Sequence, residues 1–493
     1  MRAGGILLPI ASLPCAYGIG TFSKCAYEFV DFLQRAGQKY WQILPLGPTG
    51  YGDSPYQSFS TFAGNPYFID LEGLVEAGLL TREECDAYDA EENPQYIDYE
   101  KLYATRFQIL RKAFKRSSLD DDEAYKEFLS ENEEWLDNYC LYMAVKNYFG
   151  GISWKQWEPG IQKRTSEAVE NYRKLLAEEI DFYRFQQFWF QKQWYELKQY
   201  ANDHGVDIIG DIPIYVAFDS ADTWANPELF QFDENGTPTG VAGCPPDGFS
   251  ATGQVWGNPL YDWEYHKRTN YTWWKKRMER CFRLYDVVRV DHFRGFDEYF
   301  SIPYGADTAA GGHWEKGPGI SLFNELKKER GDVRIIAEDL GFLTDSVVKL
   351  VQDTGYPGMK VLEFAFDSRE ESNYFPYTYT QNCVAYTGTH DNQTVQGWFQ
   401  TLPKEDYETA VCYLDVKSGE EREIHWKMIR AVLSSVADTA IIPMQDYLGL
   451  DDEARINTPS SLGGNWVWRM DQGALTRELE QKILKLARIY GRA

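Results

Sequence analysis

Short apolar runs that end in polar or acidic residues recur along the chain, at positions 6–10, 40–46, 207–216, 286–293, 333–340, 358–366, 383–390 and 440–445. Their nearly continuous apolar character predicts parallel strands covered on both faces, since a half-exposed strand would alternate. Segments of helical period lie between most of them, for example 23–37, 322–330, 344–355 and 420–436. Eight strands alternating with helices predict an α/β protein built on a (β/α)8 TIM barrel. An open doubly wound sheet also fits the pattern. No GxGxxG follows the first run, which weakens the dinucleotide-binding form of that alternative.

The spacing of the runs is uneven. About 160 residues separate the second from the third. From about 70 to 205 this stretch is charged, aromatic and helical in period, and predicts a mostly helical insertion after strand 2. A second interruption, about 217–265, is rich in Gly, Pro and Asn. It predicts a loop insertion after strand 3, over the end of the barrel where such proteins build their sites. Residues 1–493 are expected to form a single catalytic barrel with these insertions and no C-terminal β-sandwich.

Composition narrows the function. Apolar residues make up 43% and charged residues 25% of the 493, which excludes disorder, collagen and coiled coil as the main architecture. With 50 Lys and Arg against 75 Asp and Glu, the net charge is −25. Such a field repels phosphates, so neither nucleic acid nor an anionic membrane is expected as a partner. The substrate should be neutral or cationic. The 16 Trp, 34 Tyr and 28 Phe either fill a large core or offer flat platforms to the C–H faces of sugars. The cysteines at 15, 25, 85, 140, 244, 281, 383 and 412 are scattered without a CxxC. Reduced thiols in a cytoplasmic protein are expected, with no zinc site. No stretch nears the roughly 18 apolar residues that span a bilayer, and the apolar run at the N-terminus is too short for a secretory leader.

Three strand ends carry candidate chemistry. In DVVRVDHFRGF, residues 286–296, alternation puts Arg289 and Asp291 on one face. A carboxylate beside a permanent cation stays ionised, as a nucleophile must; a structural ion pair is the plainer alternative. In RIIAEDLG, residues 334–341, the strand delivers Glu338 to its end with Asp339 pointing away. A crowded, partly apolar position there would raise the pKa of a general acid; a loop-capping Glu is the alternative. In VAYTGTHDNQT, residues 384–394, His390, Asp391 and Asn392 follow in succession, either gripping vicinal hydroxyls or forming an Asx-type turn. Two carboxylates across one bond are the minimum for glycosidic cleavage. Metal binding competes for such carboxylates, but no HExxH, EF-hand loop or His-rich set accompanies them. No metal or cofactor is expected.

Longer motifs add a resemblance. GYGDSPYQSFSTFAGNPY (50–67), DIPIYV (211–216), AGCPPDGFSATGQVWGNPLY (242–261), RINTP (455–459) and GNWVWR (464–469) are similar to signatures of the 4-α-glucanotransferases, the amylomaltase or disproportionating-enzyme family of the α-amylase superfamily. The similarity covers nearly the whole chain. It implies that Asp291 is the nucleophile, Glu338 the acid/base and Asp391 the transition-state stabiliser. It further implies sugar contacts from Arg289 and His390, an orienting role for Asp211, donor contacts from Ser54 and Tyr56, and acceptor contacts from Asp247, Phe249, Gln254 and Trp256. The implied partners are α-1,4-glucans and maltooligosaccharides. The implied reaction is retaining transfer of a glucan segment to the 4-OH of another glucan or of glucose. Hydrolysis on the same fold and glucan binding without catalysis are the alternatives; oligomeric state is not legible.

Overall fold

Eight strands form one all-parallel sheet: β1 (Ala3–Leu7), β2 (Tyr40–Gln42), β3 (Asp207–Pro213), β4 (Val287–Asp291), β5 (Ile335–Ala337), β6 (Gly358–Val361), β7 (Cys383–Tyr386) and β8 (Thr439–Pro443). The computed structural model describes residues 2–493 apart from Tyr51, Ala90, Asp120, residues 247–251, Phe342, Glu370, Glu371 and Leu462. Hydrogen bonding runs in the order β6-β7-β8-β1-β2-β3-β4-β5. The Ala337 N–H at the end of β5 donates to the Pro357 carbonyl just before β6, at 2.9 Å, so the sheet closes almost completely as the predicted (β/α)8 barrel. The open-sheet alternative is excluded.

Each predicted run overlaps one barrel strand, and six of the eight strands lie inside their runs. The first begins at Ala3, before the apolar run at residue 6. Gly4 and Gly5 give no apolar signal, yet they fit a place where a side chain does not. A Cβ on Gly5 would lie 2.6 Å from Ile441 Cδ1. Inside the barrel, Leu7, Ile209, Val287, Ile336, Val361 and Ile441 pack into one buried cluster. The alternate residues, including Ile208, Val288, Val290 and Ile335, face the surrounding helices. That two-sided burial accounts for the continuous apolar runs. The helix α1 (Lys24–Arg35) buries Ala26, Phe29, Val30 and Leu33, the 3.6-residue stripe of a helix laid on a sheet.

Between β2 and β3 the chain is helical. The three long helices are α2 (Tyr99–Arg116), α3 (Glu123–Tyr148) and α4 (Ala177–Asp203). α4 buries Phe182, Phe185, Phe188, Trp189, Phe190 and Trp194, so many of the abundant aromatics are core. It also fixes the segment that follows β2. The Gln187 side chain accepts from the Gly64 N–H at 2.7 Å and donates to the Gly64 carbonyl at 2.8 Å. Gln193 does the same at Asp70, at 2.8 and 3.1 Å. Each amide satisfies backbone groups that have no strand partner.

The segment after β3 is more regular than its Gly/Pro-rich composition predicts. Strands Gly240–Cys244 and Gln254–Pro259 join Glu298–Pro303 and His313–Lys316 in a four-stranded antiparallel sheet. The pairing partner, Glu298–Pro303, lies beyond β4, so no local pattern reveals it. A second departure concerns the thiols. Cys15 and Cys25 are joined in a disulfide, whereas all eight cysteines were expected to be reduced. The turn after β1 brings Cys15 back onto the start of α1, a proximity that ten residues of sequence do not encode. Among the described residues no helix is long and apolar enough to cross a membrane.

Candidate active site

Inward-facing side chains change from apolar to polar toward the C-terminal end of the barrel. The register pairs Asp211 on β3 with Arg289 on β4, and both side chains point inward. Arg289 is 2% exposed and Asp211 is fully buried. Arg289 Nη1 donates to both Asp211 oxygens at 2.8 and 2.7 Å, and Nη2 donates to Asp291 Oδ1 at 2.9 Å. Its Nε–H meets Met359 Sδ at 3.4 Å. Tyr56 Oη donates to Asp211 Oδ2 at 2.9 Å. A buried guanidinium needs such partners, because an unpaired ion in this setting is costly. Asp211 is therefore a fully buried anchor for Arg289 and Tyr56.

Glu338 follows β5, beside β4. Its Oε2 accepts the His292 N–H at 2.7 Å and its Oε1 the Leu340 N–H at 2.8 Å. The first bond depends on His292, whose φ of 54° lies in the left-handed region that non-glycine residues rarely adopt. Burial raises the Glu338 carboxyl to about 7; the Asp291 charge adds to the rise, while Arg289 and the two N–H groups oppose it. Burial also raises Asp291, and the Arg289 guanidinium opposes that rise most strongly. The direct Arg289 bond favours charge on Asp291 over charge on Glu338. Asp339 points the other way and accepts the Met359 N–H at 2.7 Å.

The third carboxylate closes the ring from β7. Asp391 Oδ1 accepts from Asn457 Nδ2 at 2.6 Å, and Oδ2 lies 3.3 Å from His390 Nε2. Arg455 Nη2 donates to the Asp391 carbonyl at 2.7 Å. Asp391 is more open than Asp291, its side chain 42% exposed against 30%. The His390 ring is stacked on Tyr56, with centroids 5.2 Å apart and planes 16° apart, and Trp466 lies 5.8 Å from Tyr56. Ser54 enters through Tyr56, whose N–H donates to Ser54 Oγ at 3.3 Å.

On the opposite side, Trp256 Nε1 donates to Gln254 Oε1 at 3.0 Å. The Trp256 ring meets the His292 ring edge-on at 4.8 Å. Burial pushes the His292 imidazole down to about 3, so it is neutral. Asp247 and Phe249 lie outside the described residues. The barrel thus brings together Tyr56, Asp211, Arg289, Asp291, Glu338, His390 and Asp391, with Gln254 and Trp256 at the edge beside His292. Motif reasoning gave no role to Arg455, Asn457, Trp466, Met359 or the His292 backbone. Arg455 and Asn457 stand in the quoted RINTP motif and Trp466 in GNWVWR, which were the available signals. Among the described residues no group of three or more His, Cys, Asp or Glu side chains is arranged to hold a metal ion.

One carboxyl bonded to a guanidinium, a second raised by burial and a third held between an amide and an imidazole form the equipment of a barrel enzyme that acts on glycosidic bonds. A family model described as 4-alpha-glucanotransferase matches residues 8–476. The 4-alpha-glucanotransferase of Clostridium butyricum is 51% identical over 98% of this chain and 99% of its own length. That of Streptococcus pneumoniae serotype 4 is 50% identical over 100% and 97%. The structure of an amylomaltase from Streptococcus agalactiae, in complex with acarbose, superposes with a TM-score of 0.97 at 42% identity and full coverage of both chains. This chain belongs to the 4-alpha-glucanotransferase family, and it is an enzyme of the transferase class.

Proposed function

We propose that the chain transfers α-1,4-glucan segments between maltooligosaccharides by double displacement, through a glycosyl intermediate on Asp291. The observation that carries this reading is the unequal treatment of two neighbouring carboxyls: Asp291 is bonded to Arg289 and Glu338 is raised to about 7. Glu338 protonates the oxygen of the bond being cleaved while Asp291 Oδ attacks the anomeric carbon. The shortened glucan leaves with the proton, and Glu338 is left as a base. It then takes the proton from the 4-OH of an incoming glucan, whose oxygen displaces Asp291. Configuration is inverted twice and so retained. Asp391 and His390 hold the hydroxyls of the sugar whose ring distorts, and Tyr56 and Ser54 line the donor side.

Water would complete the second step as hydrolysis. Transfer needs a sugar acceptor held in place and water kept out. Gln254 and Trp256, beside His292, serve this role, and the family resemblance expects the same of Asp247 and Phe249. Asp211 acts through Arg289 and Tyr56, not by touching sugar. Incubation with maltotriose tests the reading. Expected products are glucose and a ladder of longer maltooligosaccharides, with total reducing ends nearly constant. A steady rise in reducing ends without longer products would assign the site to hydrolysis.

A further inference from the structure

Residues 387–395, which follow β7 and carry His390 and Asp391, are held by acidic residues from both sides. After β8, Asp446 accepts from Thr387 Oγ1 at 2.5 Å and from the Val395 N–H at 2.9 Å. Asp452 accepts from Gln393 Nε2 at 2.6 Å and from the Thr394 N–H at 3.1 Å. After β6 stands Glu363, only 6% exposed and unused by the mechanism above. Its N–H donates to the Thr387 carbonyl at 3.1 Å, and the Asn392 amide faces its carboxyl and opposes the rise of its pKa. Gly388 packs against both: a Cβ there would sit 2.8 Å from Glu363 Oε1 and 3.1 Å from Asn392 Cβ. Asn392 Oδ1 accepts the Thr389 N–H at 2.9 Å and Oγ1–H at 2.8 Å, and Thr389 Oγ1 accepts the Asp391 N–H at 3.3 Å.

We propose that Glu363 is a positioning residue that fixes Asp391 through Asn392 and Thr389. This rests on the reading of Asp391 as the group that steadies the distorted sugar. Packing alone does not account for a carboxyl at this place. Its Oε1 is buried without a hydrogen-bond partner among the described residues, which costs stability that an apolar side chain would not. Such costs collect at functional sites. Burial and the facing Asp446 and Asp452, opposed by Asn392 and Arg455, hold this carboxyl well above the ordinary range. A carboxyl raised in this way favours its neutral form, and Glu363 acts by shape and hydrogen bonding.

The test is a double-mutant cycle on maltotriose, reading kcat and KM separately. Glu363→Ala is expected to lower kcat about 10- to 100-fold, the scale of a small misplacement of a reacting group, with KM changed less than about threefold. Glu363→Gln, the nearest neutral isostere, is expected to rescue most of kcat. Asn392→Ala is expected to match Glu363→Ala, and the double variant to be no worse than the weaker single. Losses that multiply, or full kcat in Glu363→Ala, would overturn the proposal. If Glu363→Ala does not fold, judged by circular dichroism, Asn392→Ala decides: it must lose kcat, and adding Glu363→Gln must change nothing further. Full kcat in Asn392→Ala would overturn the proposal in that case too. Asp391→Asn separates the two readings. Full kcat there would overturn the role of Asp391 itself, whereas a lost kcat alongside multiplying losses in the cycle would overturn only the link to Glu363.

Discussion

Asp291 and Glu338 carry the same functional group at the ends of adjacent strands, and their neighbours part their proton affinities. A guanidinium touches one, while backbone N–H groups and burial surround the other. In the proposed mechanism cleavage needs Glu338 protonated, so the first-step rate is expected to fall as pH rises through about 7, measurable as the alkaline limb of kcat/KM. The same shift is a stability statement. The native state binds this proton more tightly than the unfolded chain, so stability is lost from the ordinary value of 4.5 up to about 7. Glu338→Gln is expected to melt about 1–3 °C above the wild type at alkaline pH and to lose that advantage below the window; equal melting at both pH values would contradict the burial of a charge. The amide cannot protonate a departing glucan, but an α-maltosyl fluoride needs little acid help. Glu338→Gln is therefore expected to accumulate a glycosyl adduct, which mass spectrometry should locate on Asp291. An adduct on Asp391 would reverse the two assignments.

At the scale of elements, each side of the site is carried by a segment that something else holds rigid. The Tyr56 segment is tied to α4 by Gln187 and Gln193. The Trp256 strand is tied to Gly240–Cys244, which in turn pairs with a strand that follows β4. Trp256 contacts His292, whose N–H holds Glu338. Removing that ring opens the acceptor side to water without touching a carboxylate. Trp256→Ala is accordingly expected to raise the ratio of hydrolysis to transfer severalfold, read as reducing ends released per longer maltooligosaccharide formed. An unchanged ratio would place the exclusion of water elsewhere.

For the whole molecule, the net charge of −25 acts on solubility and on charged partners, and a neutral glucan does not feel it at long range. KM for maltotriose is expected to stay within about twofold between low and high salt, because screening has nothing to screen. The three carboxylates are already engaged by Arg289, Asn457, His390 and backbone donors. Activity is therefore expected to survive EDTA. Loss on chelation, restored by a divalent cation, would show that a metal shares the site.

The eight barrel strands and the pairing of Arg289 with Asp291 were legible in the sequence, because burial on two faces and alternation along a strand are local consequences of the chain's own period. The opposite aims of Glu338 and Asp339 follow from the same period. Local pattern could not supply what joins distant segments: the sheet built from Gly240–Cys244 and Glu298–Pro303, the Cys15–Cys25 pairing, or the Asn457 and Arg455 contacts to Asp391. The sequence carried the expectation that Glu338 and not Asp291 keeps the proton, but not the cause, since the water and charge around each group are set only by folding. The sequence thus determined the barrel and which side chains face inward. Tertiary structure decided their protonation and their aim, because both are set by neighbours that only closure of the barrel brings within hydrogen-bonding distance.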